Sequence, residues 1–336
     1  MVLKTIEMDL QYQGIIAAPP IAQDQLYKQA CSNDAITITS WRDIWLKQIK
    51  ANLETYGDFK AKGIGQLAGK WAYKPGIAVG SGPSLKKNAL LLKDRGDMLA
   101  VSCTHNFAFL EDIGVAPDFY LTLDAGPITI SELTEGGKEK PEWYWERTKN
   151  HKLLAFIGTD PEFLKRWQGE IFFYNAPVPD QSYVEELEKI VTFNEYISTG
   201  GNALGSCVYA AKAILGANPI AFLGADFSFS YTSKFHSWDS QYDKMNKGVI
   251  WTLDVYGNKV HTWPSYHNFK LFMDYIAVRV PGQYYNCTEG GTLGAYLEGN
   301  IVQIRPMDFA DFLKGYKLHE EFIGKCLNTD QRMLVY

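Results

Sequence analysis

Six short stretches carry the residues best suited to chemistry: Gly80-Ser81-Gly82-Pro83-Ser84, Thr104-His105-Asn106, Asp124, Ser198-Thr199-Gly200-Gly201-Asn202, Asp226 and Thr288-Glu289-Gly290-Gly291. Glycine beside hydroxyl residues lets backbone approach a ligand closely, and the amides opening a following helix attract phosphate. Ser84 is the residue type that caps a helix starting at Leu85, and the 198–202 loop repeats the arrangement ahead of Ala203. Two such helix entries on one cleft suit an anion with more than one group to hold. The first loop is neither GxxxxGK[ST] nor GxGxxG, so P-loop and dinucleotide readings lose weight. A tight strand–helix turn with no ligand accounts for it equally well.

Asp124 and Asp226 each follow an apolar run, where a carboxylate can bind ribose hydroxyls, hold a metal or cap a helix. They lie far apart in the chain, so no local spacing joins them in a metal site. A general base near neutral pH is most naturally histidine, and His236, His261 and His267 fall in or beside one polar, aromatic stretch. Tyr231 in the same stretch can donate to a leaving phosphate. Lys86, Lys87 and Arg305 can supply charge, although the two lysines read more simply as a solvated helix face.

These residues need a scaffold that brings strand ends together. Apolar runs at 77–79, 98–103 and 119–123 alternate with helical stretches at 85–94 and 106–112, which is a βαβαβ unit with parallel strands. A second series follows, with strands at 152–157, 170–174, 219–223 and 283–287 and helices at 203–215 and 266–280. Residues 1–74 form a mainly helical N-terminal extension with a helix start at Ser40 and apolar anchors Trp41, Ile44, Trp45 and Ile49. The predicted fold is a Rossmann-like, doubly wound α/β domain over 75–305, with an irregular lid over about 227–265. A helical tail over 306–336 completes the chain. In such sheets ligands bind beyond the carboxyl ends of the strands, which is where the candidate residues fall.

Composition narrows the classes further. The 336 residues are 46% apolar, with 33 Lys+Arg against 38 Asp+Glu and a formal charge of −5. That balance disfavours a dedicated nucleic-acid binder without excluding an anionic small ligand. The five cysteines are scattered without CxxC spacing, so they read as reduced side chains and no metal site is assigned. The chain has no apolar stretch long enough for a transmembrane helix, and its first residues lack the apolar run of a signal peptide. A cytoplasmic protein is expected, and association into a homo-oligomer is left open.

Taken as an ordered series with Pro117-Asp118-Phe119, Phe222-Leu223-Gly224-Ala225-Asp226, the His236 segment, 254–260 and Asn286-Cys287-Thr288-Glu289-Gly290-Gly291, the chemistry-bearing loops resemble the motility-associated factor family. That superfamily also contains 6-hydroxymethylpterin diphosphokinases. A more distant similarity is to bacterial CMP-sialic-acid sialyltransferases, at the strand–GxGPSL–helix start, the Thr-Ser-Gly-like loop and the Gly-x-Asp-Phe segment. The resemblance implies a transferase that takes a nonulosonic sugar from a CMP-activated donor to a hydroxyl of a protein or glycan. It implies His261 as general base, His236 as second choice, and Tyr231 assisting the departing phosphate. Nucleotide binding would fall to Gly80, Ser81, Gly82, Ser84, His105, Asn106, Asp124, Ser198, Thr199, Gly200, Gly201, Asn202, Asp226 and Glu289. No firm cofactor follows beyond the nucleotide donor. The alternatives are an ATP-dependent pterin pyrophosphokinase with Mg²⁺ held by Asp124 and Asp226, and a non-catalytic nucleotide-binding module. The chain departs from the sialyltransferase pattern at Ser81 and at His105-Asn106, and it lacks the flanking regions of full motility-associated factors.

Overall fold

The computed structural model describes residues 32–178, 180–229, 249–295 and 303–317. Eight strands build one sheet: β1 (Gly76–Val79), β2 (Leu99–Cys103), β3 (Phe119–Thr122), β4 (Lys152–Phe156), β5 (Glu170–Tyr174), β6 (Ile220–Leu223), β9 (Tyr284–Asn286) and β10 (Ile304–Pro306). Between β6 and β9 the chain inserts an antiparallel pair, β7 (Ile250–Leu253) and β8 (Lys259–Thr262). The sheet order is β10-β9-β6-β1-β2-β3-β4-β5, and every neighbouring pair is parallel. Strands β1, β2, β3 and β6 are buried along their whole length, as expected of a parallel sheet covered on both faces. The chain runs outward from β1 to β5, then returns with β6 to the other flank of β1. The order therefore reverses between β1 and β6, as in the predicted Rossmann-like fold, and their carboxyl ends frame a crevice.

Helix α1 (Ser32–Tyr56) begins before the predicted start, so Ser40 is interior and not a cap. Of its predicted anchors Ile49 is fully buried, whereas Ile44 is 41% exposed. The helix crosses the strand ends: Gln48 Nε2 donates to the Ala125 carbonyl at 2.9 Å, and Asn52 Nδ2 to Ile157 and Thr159 carbonyls at 2.9 and 2.8 Å. Phe59, further along the extension, packs on Phe173 of β5 with ring centroids 4.8 Å apart. Residues of the extension and of the sheet thus share one continuous core.

The remaining helices are α2 (Leu85–Asn88), α3 (Phe107–Asp112), α4 (Ile128–Glu132), α5 (Pro141–Arg147), α6 (Pro161–Arg166), α7 (Gln181–Glu188), α8 (Ala203–Tyr209) and α9 (Pro264–Arg279). The helix predicted over 85–94 is only one α turn followed by 3₁₀ turns over Ala89–Asp94. The one predicted over 203–215 widens to π geometry over Ala210–Ile214, leaving the Ile214 and Leu215 carbonyls to accept from Gly69 and Trp71 amides at 2.9 Å each. Two elements differ more. The β7–β8 hairpin occupies part of the segment read as an irregular lid, its turn fixed by Asp254 Oδ1, which accepts from the Tyr256 and Asn258 amides at 2.9 and 2.8 Å. Strand β10 was not anticipated, because only Ile304 of its three residues is buried. The helical residues 309–317 bury Phe309, Phe312 and Leu313, and the rest of the expected tail lies outside the described residues.

Candidate active site

The glycine-rich turn after β1 is shaped first by the β1–β6 crevice. The Gly80 amide donates to Leu223 at 2.8 Å and the Gly82 amide to Gly224 at 2.9 Å. A Cβ on Gly80 would lie 2.6 Å from the Gly224 oxygen, one on Gly82 2.0 Å from Asp226 Oδ2, and one on Gly224 2.4 Å from the Gly80 oxygen. Close approach of the two strand ends therefore demands these glycines even without a ligand. Ser84 stands at the start of α2 in helical conformation, and its side chain caps nothing. Its hydroxyl donates to Asp226 Oδ1 instead, and its amide lies 3.3 Å from Asp226 Oδ2. Of the three sequence readings for Asp226, the capping one describes its contacts. Burial pushes the Asp226 carboxyl up to about 6, against the lowering effect of the Ser84 bonds. Among the described residues the Ser81 amide and hydroxyl make no intramolecular hydrogen bond, so Ser81 is what this turn offers to the crevice.

The crevice opens into a cavity of about 370 Å³ whose walls include Ser81, Gly82, His105, Asp124, Glu132, Gly201, Asn202 and Asp226. His105 comes from the 3₁₀ turn after β2, Asp124 from the turn after β3, and Glu132 from the end of α4. His105 Nε2 pairs with Glu132 Oε2. Burial pulls the His105 imidazolium down, but the Glu132 bond and the charges of Glu132 and Asp124 outweigh it, so His105 lies above the ordinary histidine range. Asp124 is exposed at the mouth of the cleft; desolvation by its surroundings raises its carboxyl, His105 opposes that, and Glu132 adds to it. One imidazole and two carboxylates thus share a pocket, and the two carboxylates raise the imidazole. Sequence reasoning missed Glu132, because nothing local marks it: only the turn of α4 back over Asp124 brings it to His105.

The 198–202 loop is held from within. Thr199 Oγ1 accepts from the Gly201 amide at 3.2 Å, and Asn202 caps α8 by accepting from the Gly205 amide at 2.8 Å. Gly201 and Asn202 face the cavity, whereas Gly200 is packed under Phe272 of α9, 2.0 Å from where a Cβ would stand. Ser198 is half-buried behind them.

Other predicted residues lie elsewhere. Asn106 is buried beneath the first turn, donating to the Gly80 carbonyl at 3.0 Å and Ser102 Oγ at 3.1 Å. Glu289 sits behind α2, where Oε1 accepts from Asn88 Nδ2 at 3.2 Å and the Phe309 amide at 3.3 Å. Its carbonyl accepts from Lys87 at 2.9 Å. His261 is on β8 opposite Trp251 and is not among the cavity walls; burial and then the Lys259 charge lower its imidazolium below the ordinary range. His267 is buried on α9, and Arg305 is on β10 at the edge of the sheet. Tyr231 and His236 lie outside the described residues. Among the described residues no group of three or more His, Cys, Asp or Glu is arranged to hold a metal ion, and no helix is long and apolar enough to cross a membrane.

Comparison with known proteins agrees with the fold. The MAf glycosyltransferase from Magnetospirillum magneticum AMB-1 shares the fold, with a TM-score of 0.54 at 17% identity over 71% of this chain and 34% of that one. The chain therefore spans about a third of that neighbour's length. No curated protein matches the sequence. The model of the family described as 6-hydroxymethylpterin diphosphokinase MptE-like matches residues 47–232. That segment is more than half of the chain and contains the crevice, the His105 cluster and α8. The chain belongs to the MptE-like family, within the superfamily that the ordered loops had suggested.

Proposed function

We propose that the chain transfers a nonulosonic, sialic-acid-like sugar from a CMP-activated donor to a hydroxyl on a protein or glycan. The observation that carries this reading is the His105–Glu132–Asp124 cluster in the cavity at the strand-order reversal, beside Ser81 and the Gly201–Asn202 loop. The donor phosphate lies against Ser81 and the His105 imidazolium, which Glu132 holds in place and in its charged form. Asp124 takes the proton of the acceptor hydroxyl as the acceptor oxygen bonds the anomeric carbon. The bond from that carbon to the phosphate oxygen breaks, and its electron pair leaves with CMP. Preorganised charge at the leaving phosphate is the main catalytic contribution in this scheme. The fold shared with a MAf glycosyltransferase supports it.

The family's description favours a second reading, Mg²⁺-dependent pyrophosphate transfer from ATP to a pterin alcohol. Asp124 and Asp226 would have to hold the cation, and a cation at Asp226 would share the carboxylate with the two bonds it accepts from Ser84. A third reading is a nucleotide-binding module without turnover. Thermal shift with CMP, CDP, UDP, ADP and ATP, each with and without Mg²⁺, separates the three. Stabilisation by CMP without metal is expected. An ATP response that requires Mg²⁺ overturns the transferase reading in favour of the second, and CMP binding without turnover of any sugar donor favours the third.

A further inference from the structure

Beside the cavity, sharing Leu123, Asp124 and Gly201 with it, lies a second hollow of about 260 Å³. It sits beyond the ends of β3, β4 and β5, and α1 closes it with Trp41 and Trp45. Nothing in the reaction scheme uses it. Its volume is below the roughly 300–1,000 Å³ of a drug-sized pocket, the scale of a single ring. Trp45 is fixed edge-on between Phe156 and Tyr183, with centroids 5.9 Å from each. Trp41 is only partly buried and lies over Gly126, where a Cβ would come 3.1 Å from Cη2. Ile128, 60% exposed, completes the apolar side.

The polar groups sit at the junction with the cavity. Asp124 is the one charged side chain among the described walls of the hollow, so it repels an anionic ring and offers hydroxyls an acceptor. An indole wall, a hydroxyl-accepting rim and no cation together match a neutral pyranose, whose C–H face is apolar and whose edge is polar. We propose that the hollow is the acceptor subsite, binding a neutral pyranose with Trp41 under its C–H face and its reacting hydroxyl at Asp124. This rests on the transferase reading, and it assigns to α1 a part in acceptor choice.

The test is titration of methyl β-D-galactopyranoside, N-acetylneuraminic acid and 6-hydroxymethylpterin, followed by tryptophan fluorescence, with and without saturating CMP. Wild-type protein is expected to bind the neutral pyranoside in preference to the anionic sugar. Trp41→Ala should weaken the pyranoside about tenfold, the scale of one lost aromatic contact, and leave the CMP thermal shift unchanged. Ile128→Asp, at an exposed position that cannot unfold the chain by burial, should weaken it likewise. Pyranoside binding that both variants leave intact overturns the subsite, as does pterin binding that needs Trp41. Loss of any CMP response in the wild type, with Trp41-dependent pyranoside binding retained, overturns the donor assignment and keeps the subsite.

Discussion

Asp226 illustrates how a residue picked for ligand chemistry turns out to carry structure. A carboxyl raised to about 6 when folded, against about 3.9 unfolded, binds its proton more tightly in the native state. Its contribution is therefore fully present below about pH 4 and is lost as pH rises through about 6, a total change of about 3 kcal/mol. Asp226→Asn should flatten the stability–pH curve between these limits in urea titrations; an unchanged slope would refute the assignment. His105 gives a prediction for activity rather than stability. Activity that needs its imidazolium should persist above the ordinary histidine range and fall as pH rises through the raised value. Glu132→Gln removes the hydrogen bond that raises it, so the falling limb should move to lower pH. Asp124→Asn should cost about 10²–10⁴-fold in donor turnover with CMP binding kept, the range of general acid–base catalysis, whereas His105→Gln should lower turnover and weaken CMP binding together. His261→Gln should leave turnover near wild type; if it abolishes turnover instead, the base is His261 after all. His105 and Asp124 were legible because each ends an apolar run. Glu132 was not, since its role depends on a fold-back that no residue type announces.

At the scale of elements, α1 changes meaning most. Its presence was readable in the spacing of Trp41, Trp45 and Ile49, but a 3.6-residue period says only that one face is buried, not against what. The side chain that ties it down, Asn52, is polar and fully buried, so hydropathy alone would have placed it outward. Asn52→Ala should strand the Ile157 and Thr159 carbonyls at an expected cost of about 1–3 kcal/mol, read as a lower urea midpoint at unchanged slope. A loss well under that would mean that α1 is only loosely docked. The hairpin β7–β8 escaped notice for a related reason: of its eight residues, only Trp251, Thr252, Val260 and Thr262 are buried. Too few apolar positions alternate there to stand out from the aromatic residues around them.

Over the whole molecule, the βαβαβ rhythm was legible, because parallel strands buried on both faces stand out as short apolar runs. The side of β1 on which β6 returns was not, since it is decided by pairing across more than a hundred residues. That return creates the crevice, and a ligand held there would bridge both halves of the sheet. At a hundredfold excess over its dissociation constant, CMP should stabilise the fold by about 2.7 kcal/mol, which for a chain of this size is a rise of about 4 °C in Tm. The mutual contact of Gly80, Gly82 and Gly224 has a further consequence. In a library randomised at these three codons and sorted only for soluble expression, with no substrate present, glycine should still be recovered at each. The motif that first suggests a phosphate site is therefore a signature of how two strands close on each other, and relatives with different chemistries can share it unchanged.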